Sequence, residues 1–151
     1  MNKSRRVALK TTGAFATLVS LGIITQSQAQ AAVDRTSFQV KTLEDALKAI
    51  GGTAATSDQV SVVSPDIAEN GAVVPVGATS KLPNTTEMYL IVEKNPTPLS
   101  AGFMIPAGTV ADVQTRLKMG QSTNVIAVVK ADGKLFSATK ETKVTLGGCG
   151  G

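Results

Sequence analysis

The sequence predicts a mainly β domain, an antiparallel β-sandwich preceded by one short helix. Three observations lead there. From Asp58 onward, short runs rich in Val, Ile, Leu and Thr recur at roughly ten-residue spacing between turn formers. After residue 31, only the segment around Leu43–Ile50 carries an apolar stripe at helical spacing. Hydrophobic residues make up 42% of the 151 residues, enough for a packed core and unlike a disordered chain. About seven short strands at this spacing fit an immunoglobulin-like architecture, with an open β-barrel as the other solution to the same pattern.

The first element is an address. Residues 1–10 are polar and basic, residues 13–24 form an apolar run of about twelve, and Ser27-Gln28-Ala29 and Ala29-Gln30-Ala31 follow as small-x-small sites. The run is shorter than the ~20 residues a helix needs to span a bilayer. Ser4-Arg5-Arg6-Val7-Ala8-Leu9-Lys10 resembles the twin-arginine pattern, with Ala8 where that pattern prefers Phe. The expectation is a cleaved twin-arginine signal over 1–31 and a periplasmic product. A folded domain over 32–146 and a short arm over 147–151 complete the expected organisation.

The helix follows. Leu43, Ala46, Leu47 and Ile50 lie at i, i+3, i+4 and i+7, Thr42 is placed to cap it, Glu44-Asp45 supply negative charge to the first turn, and Gly51-Gly52 end it. A helix of eight to ten residues is unstable alone and must pack on something. Strands are expected at Gln59–Ser64, Gly71–Gly77, Glu87–Glu93, Leu99–Ile105, Val110–Lys118, Asn124–Lys130, Lys134–Thr139 and Thr142–Leu146. Pro75 marks the second as an edge strand or a bulge. In Glu87–Glu93, apolar Met88, Leu90 and Val92 alternate with Tyr89 and Ile91, so both faces are expected to be covered. Lys81–Asn84 reads as a turn and Asn95-Pro96-Thr97-Pro98 as a loop. Asp132-Gly133 reads as the tight turn of a hairpin.

Composition excludes several chemistries. The sequence has no histidine, no tryptophan and one cysteine, so it holds no Ser-His-Asp or Cys-His arrangement, no imidazole ligand and no thiolate zinc cluster. The net charge of +4 suggests a polyanion partner until it is divided along the chain. Residues 1–31 hold Lys3, Arg5, Arg6 and Lys10 and no acid, which leaves 11 basic and 11 acidic residues in 32–151. A neutral domain has no field to steer nucleic acid, and Phe38, Tyr89, Phe103 and Phe136 are too few to stack bases. Glu69, Asp66 and Glu87 are the acids an acid–base enzyme would have to use, and scattered surface acids are usually solvated charges.

The end of the sequence is its unusual motif, Gly147-Gly148-Cys149-Gly150-Gly151. Glycines offer wide backbone freedom and no side chain to pack, so they suit a thin arm able to enter a narrow channel. Three residues beyond Leu146 carry Cys149 up to roughly 10 Å, at ~3.3–3.6 Å each. The nearest cation in sequence is Lys143, and the Gly151 carboxylate opposes thiolate formation. Cys149 is therefore expected to be a passive attachment point, only a few per cent thiolate at pH 7 from a reference pKa of about 8.5. An incidental cysteine and an intermolecular Cys149–Cys149 disulfide are the other readings of the same residues.

The tail LGGCGG after Lys143-Val144-Thr145 resembles that of the SoxY family of sulfur carriers in periplasmic thiosulfate (Sox) oxidation. The resemblance extends through Asp45–Lys48, Ile67–Val76, Glu93–Leu99, Thr115–Met119 and Ala131–Lys134. It implies an immunoglobulin-like sandwich that is not itself an enzyme, with Cys149 as the covalent attachment site and Gly147, Gly148, Gly150 and Gly151 as the flexible arm. It implies no cofactor and no metal beyond the sulfur intermediates on Cys149. It implies a heterodimer with SoxZ and transient visits to SoxAX, SoxB and SoxCD. Two other classes stay open at this stage. One is an exported structural or adhesive sandwich dimerised by a Cys149 disulfide. The other is a ubiquitin-like carrier ending in Gly-Gly, against which the leader and Cys149 both speak.

Overall fold

The structure, a computed structural model, describes residues 36–145. The chain divides into two units, Met1–Thr36 and Ser37–Gly151, and the fold described here is that of the second. The expected leader over 1–31 and the expected arm over 147–151 lie outside the described residues.

After a 3-10 turn (Thr36–Gln39), helix α1 spans Leu43–Ile50. Its ends are built as the sequence indicates. The Thr42 backbone is extended and its Oγ1 accepts from the Asp45 N–H at 3.1 Å. At the other end Gly51, at φ 128°, and Gly52 return their N–H groups to Lys48 O and Leu47 O at 3.2 and 2.7 Å. Nine strands follow: β1 (Ala55–Thr56), β2 (Val60–Val63), β3 (Ile67–Ala68), β4 (Val74–Ser80), β5 (Thr85–Val92), β6 (Leu99–Met104), β7 (Asp112–Leu117), β8 (Thr123–Ala131) and β9 (Lys134–Val144).

The strands form two sheets. The larger has the order β1-β9-β8-β5-β6, with β3 also on β9, and the smaller has the order β2-β4-β7. Between them lies the main core, in which Val60, Val74, Val76 and Ala78 meet Met88, Leu90, Val92, Val125, Ala127 and Val129. The other face of the large sheet carries Ile91, Val128, Leu135 and Leu99, and there Ala46 and Ile50 of α1 pack. This explains the sequence of β5: Met88, Leu90 and Val92 point into the sandwich while Tyr89 and Ile91 point toward the helix. Fully burying Ile91 and Val128 contributes on the order of 2 kcal/mol each, which is what holds an otherwise unstable eight-residue helix in place.

The structure corrects four expectations. The two strands expected at Lys134–Thr139 and Thr142–Leu146 are one strand of 11 residues, paired with β8 from Thr123↔Thr142 to Ala131↔Lys134. Lys140 and Glu141 do not interrupt it, because a long antiparallel partner supports the ladder regardless of polarity. The strand expected from Gly71 starts only at Val74, since Asn70 turns the chain by accepting the Ala72 N–H at 2.9 Å. Its strand β4 is central, not an edge, yet Pro75 fits because β2 ends at the pair Val63↔Gly77 and only β7 lies opposite the proline. Finally, β1 and β3 pair with β9 in parallel, which local patterning of two-residue strands does not reveal. The Asp132-Gly133 turn is as expected, with φ of 48° and 74° between Ala131 and its partner Lys134.

Candidate functional site

Cys149 and its flanking glycines are outside the described residues, so the site is built from the platform they leave. That platform is the last turn of β9, which is held from both sides. On one side β3 lies alongside, with Ile67 opposite Lys143 and Ala68 opposite Val144. The Lys143 N–H donates to Asp66 O at 2.9 Å, and the Thr145 N–H donates to Ala68 O at 3.1 Å. On the other side the Val144 N–H donates to Ser122 Oγ at 2.9 Å. Thr142 is completely buried, and its hydroxyl donates to Ser64 Oγ at 2.9 Å. Lys140 bonds Ser64 O and pairs with Asp66 at 3.0 Å. Every described residue from Thr142 to Thr145 is thus tied to segment 64–68 or to Ser122.

A second layer supports the first. The Met119 N–H donates to Gly71 O at 2.7 Å. A Cβ at Gly71 would come within 2.4 Å of Met119 O and 2.8 Å of Val144 Cγ1. Close approach, not backbone conformation, therefore requires glycine here. Asn95 Nδ2 donates to Lys118 O at 2.7 Å, the Lys94 N–H to Thr123 Oγ1 at 3.0 Å, and Asn124 Nδ2 to Glu93 Oε2 at 2.8 Å. Four segments far apart in sequence (64–71, 93–95, 118–124 and 142–145) meet at the end of the sandwich where the described residues end, at Thr145. Segments 67–76, 93–99 and 115–119, singled out in the sequence, are three contributors to this platform. Residues 131–134 are not; they form the hairpin at the far end, where Asn84 Nδ2 donates to Asp132 Oδ1 at 2.8 Å.

The acids weighed for acid–base work are not assembled. Asp66 is exposed beside Lys140 at the tail end, Glu69 is exposed, and Glu87 sits at the hairpin end, 3.1 Å from Lys130. Among the described residues no group of three or more Cys, Asp or Glu is placed to hold a metal ion. Tyr89 departs from ordinary titration: burial first, then the hydrogen bond it donates to Glu87 and that carboxylate's charge, push its phenol well above the usual value near 10. It faces α1. Sequence reading missed Ser64, Asn70, Ser122 and Thr142, the polar residues that build the platform. Thr142, between Glu141 and Lys143, carries no local sign of its burial, and Asn70 was held only within the segment 67–76.

The family model for sulfur oxidation protein SoxY matches residues 46–149. The solved structure of the sulfur carrier protein SoxY from Chlorobium limicola f thiosulfatophilum is 34% identical, with a TM-score of 0.63 over 70% of this chain and 97% of that one. The chain belongs to the SoxY family. The SoxY match runs from within α1 to the cysteine and so includes every segment of the platform. Two further structures share the fold alone, both superoxide reductases (neelaredoxins) from Ignicoccus hospitalis. One, a point variant, is 20% identical with a TM-score of 0.51, over 58% of this chain and 80% of its own. The other is 18% identical with a TM-score of 0.50, over 61% and 95%. No curated protein sequence matches the chain.

Proposed function

We propose that this SoxY-family chain is a covalent sulfur carrier for thiosulfate oxidation, with Cys149 as the attachment point. The observation that carries the proposal is the join between structure and motif. A strand whose end is fastened on both edges, with Thr145 held beyond it, is followed after Leu146 by Gly-Gly-Cys-Gly-Gly. A firm root with a side-chain-free extension is what a carrier needs, because the root fixes where the thiol starts and the glycines let it enter a partner's channel. From Thr145, four residues reach about 14 Å.

The chemistry on the thiol is the following. Cys149 thiol and thiosulfate lose two electrons and a proton to an oxidant, a c-type cytochrome complex of the SoxAX type, and form a Cys–S–S–SO3⁻ adduct. Water then releases the terminal sulfone as sulfate and a proton, through a SoxB-type hydrolase, and leaves Cys–S–SH. Where a SoxCD-type partner is present, three waters and loss of six electrons and seven protons convert this to Cys–S–SO3⁻. A second hydrolysis returns the thiol and a second sulfate. The carrier contributes no acid, base or metal to these steps; it contributes placement. Pairing with SoxZ, export by the twin-arginine signal over 1–31 and a periplasmic site complete the reading, and the leader motif Ser4–Lys10 and the small-x-small sites support it.

The test is the intact mass of the chain isolated from cells supplied with thiosulfate, with and without reductant, beside Cys149→Ala. Reducible sulfur or sulfonate additions on the native chain alone are expected, on a chain beginning near residue 32. A bare thiol or a Cys149 disulfide dimer during thiosulfate consumption would overturn the carrier role in favour of an exported structural sandwich.

A further inference from the structure

We propose that Ile67 and Val73, extended by Val63, form an apolar rim around the root of the tail, on which each enzyme that takes up Cys149 docks. The inference rests on the carrier reading above and names the surface through which that reading works. Among the described residues the exposed large apolar side chains are Val63, Ile67, Val73, Met104 and Val110. One exposed aliphatic needs no explanation, but a group of them around one feature does. Met104 pairs with Glu87 near the β8–β9 hairpin, and Val110 lies in the connection before β7. The other three, between 48% and 58% exposed, belong to the single segment 63–73 that wraps the root.

Each of the three stands beside a residue that holds the root. Val63 precedes Ser64, whose Oγ accepts from the Thr142 hydroxyl at 2.9 Å. Ile67 lies opposite Lys143 and precedes Ala68, whose carbonyl accepts the Thr145 N–H at 3.1 Å. Val73 comes two residues after Gly71, which is packed against Met119 O and Val144 Cγ1, and its own N–H donates to Asn70 O at 3.3 Å. Their immediate neighbours Val62, Ala68 and Val74 pack into the main core, so alternation along the chain turns Val63, Ile67 and Val73 outward. Ile67 belongs to the β9 edge of the large sheet and Val73 leads into the small sheet, so the two flank the root.

The length of chain beyond the root says what covers this rim. Cys149 is four residues from Thr145, a reach of at most about 14 Å. A reacting centre inside a channel that excludes water uses most of that reach, so the mouth of the channel closes on the platform itself. Ile67 and Val73 are then among the first groups it meets. Charge does not make this contact. The platform segments 64–71, 93–95, 118–124 and 142–145 hold Asp66, Glu69 and Glu93 against Lys94, Lys118 and Lys143, a net charge of zero. Such a surface neither attracts nor repels a channel built for an anionic adduct. Apolar contact remains, and because it is non-directional it suits several enzymes in turn. The partner that fits is an enzyme with apolar side chains ringing its channel mouth and its cations deeper inside. One root has one rim, so successive enzymes exclude one another. A contact of a few aliphatic side chains is weak, as release after each step requires.

The experiment is steady-state thiosulfate oxidation by the purified c-type cytochrome complex of the same organism, with the varied substrate the full chain in the complex in which it is isolated. Ile67→Ser with Val73→Ser is compared with Met104→Ser with Val110→Ser, an equally apolar and exposed pair away from the root. The root pair is expected to raise KM for the carrier about tenfold or more with kcat unchanged, the mark of lost docking. The distant pair is expected to stay within about twofold. Ile67→Glu alone, opposite Lys143, is expected to act in the same direction and keeps the test intact if the double variant fails to fold. Alkylation of Cys149 by iodoacetamide is expected to match the parent in every variant, since a small reagent needs no dock. An unchanged KM in the root variants, an equal rise in the distant pair, a fall in kcat alone, or altered alkylation overturns the proposal. Turnover of the parent that persists in Cys149→Ala overturns the carrier reading itself, and the dock with it, which separates that failure from the others.

Discussion

Replacing Gly71 by alanine isolates the contribution of the platform under the Gly-Cys-Gly motif. The added Cβ would sit 2.4 Å from Met119 O and 2.8 Å from Val144 Cγ1. Backbone cannot yield as a side-chain tip can, so segment 69–72 must move away from 118–120 or from the end of β9. Overpacking of this kind costs about 1–3 kcal/mol. The hydrogen bond from Met119 N–H to Gly71 O, 2.7 Å in length, would stretch, adding about 1 kcal/mol. The expected destabilisation is about 2–4 kcal/mol, or a fall in Tm of roughly 8–16 °C for a domain of this size. Gly120→Ala is the control: it lies in the adjoining loop, without positive φ and with nothing within 4 Å of its Cβ, so it should be neutral or slightly stabilising. Denaturant titration gives the magnitude, and amide exchange at Val144 and Thr145 shows where it falls. Gly71→Ala within about 0.5 kcal/mol of the parent would refute the steric argument. Loss of stability with unchanged protection at Val144 and Thr145 would refute the coupling between the Gly71 turn and the root of the tail.

Three further outcomes are expected. Thr42→Ala removes the acceptor for the Asp45 N–H and should destabilise by about 1 kcal/mol in urea titration. It should also raise exchange in α1 before it does so in the sandwich, because the helix rests on one face of the large sheet. Tyr89 is held neutral in the folded chain, whereas an unfolded tyrosine ionises near its ordinary value of about 10. The unfolded state thus binds fewer protons above that pH, so this part of the stability is complete below pH 10 and declines as pH rises beyond it. Urea midpoints should fall more steeply between about pH 9 and 11 in the parent than in Tyr89→Phe, and equal slopes would contradict the burial of the phenol. Cys149, with Lys143 as its nearest cation in sequence, should alkylate with the pH dependence of an ordinary thiol near 8.5. A midpoint well below 7 would mean that the chain activates its own nucleophile and would end the passive-carrier reading.

The local signals in this sequence were sufficient wherever a structure depends on neighbours in the chain. The helix α1, its Thr42 cap and its Gly51-Gly52 stop are all set within ten residues, and the Asp132-Gly133 hairpin needs only two residues able to adopt positive φ. The two-faced pattern of β5 was legible because side chains alternate along any strand, and apolar residues on both sides imply two covers. The reading of Cys149 is of a different kind: it rests on composition and on resemblance to a family, and the residue lies outside the described structure.

What the tertiary structure decided is the company each segment keeps. That β9 is one strand follows from an unbroken partner, β8, and not from its own polar middle. That Pro75 is tolerated in a central strand follows from where β2 happens to end. The support beneath the tail joins residues from Ser64 to Thr145, separated by up to 78 positions in the bond between Thr142 and Ser64. A single hydroxyl, amide or glycine carries no mark of a partner that distant. Loop closure brings such groups together only after the hydrophobic core has chosen the topology, so their pairing is a property of the folded chain and not of any stretch of its sequence.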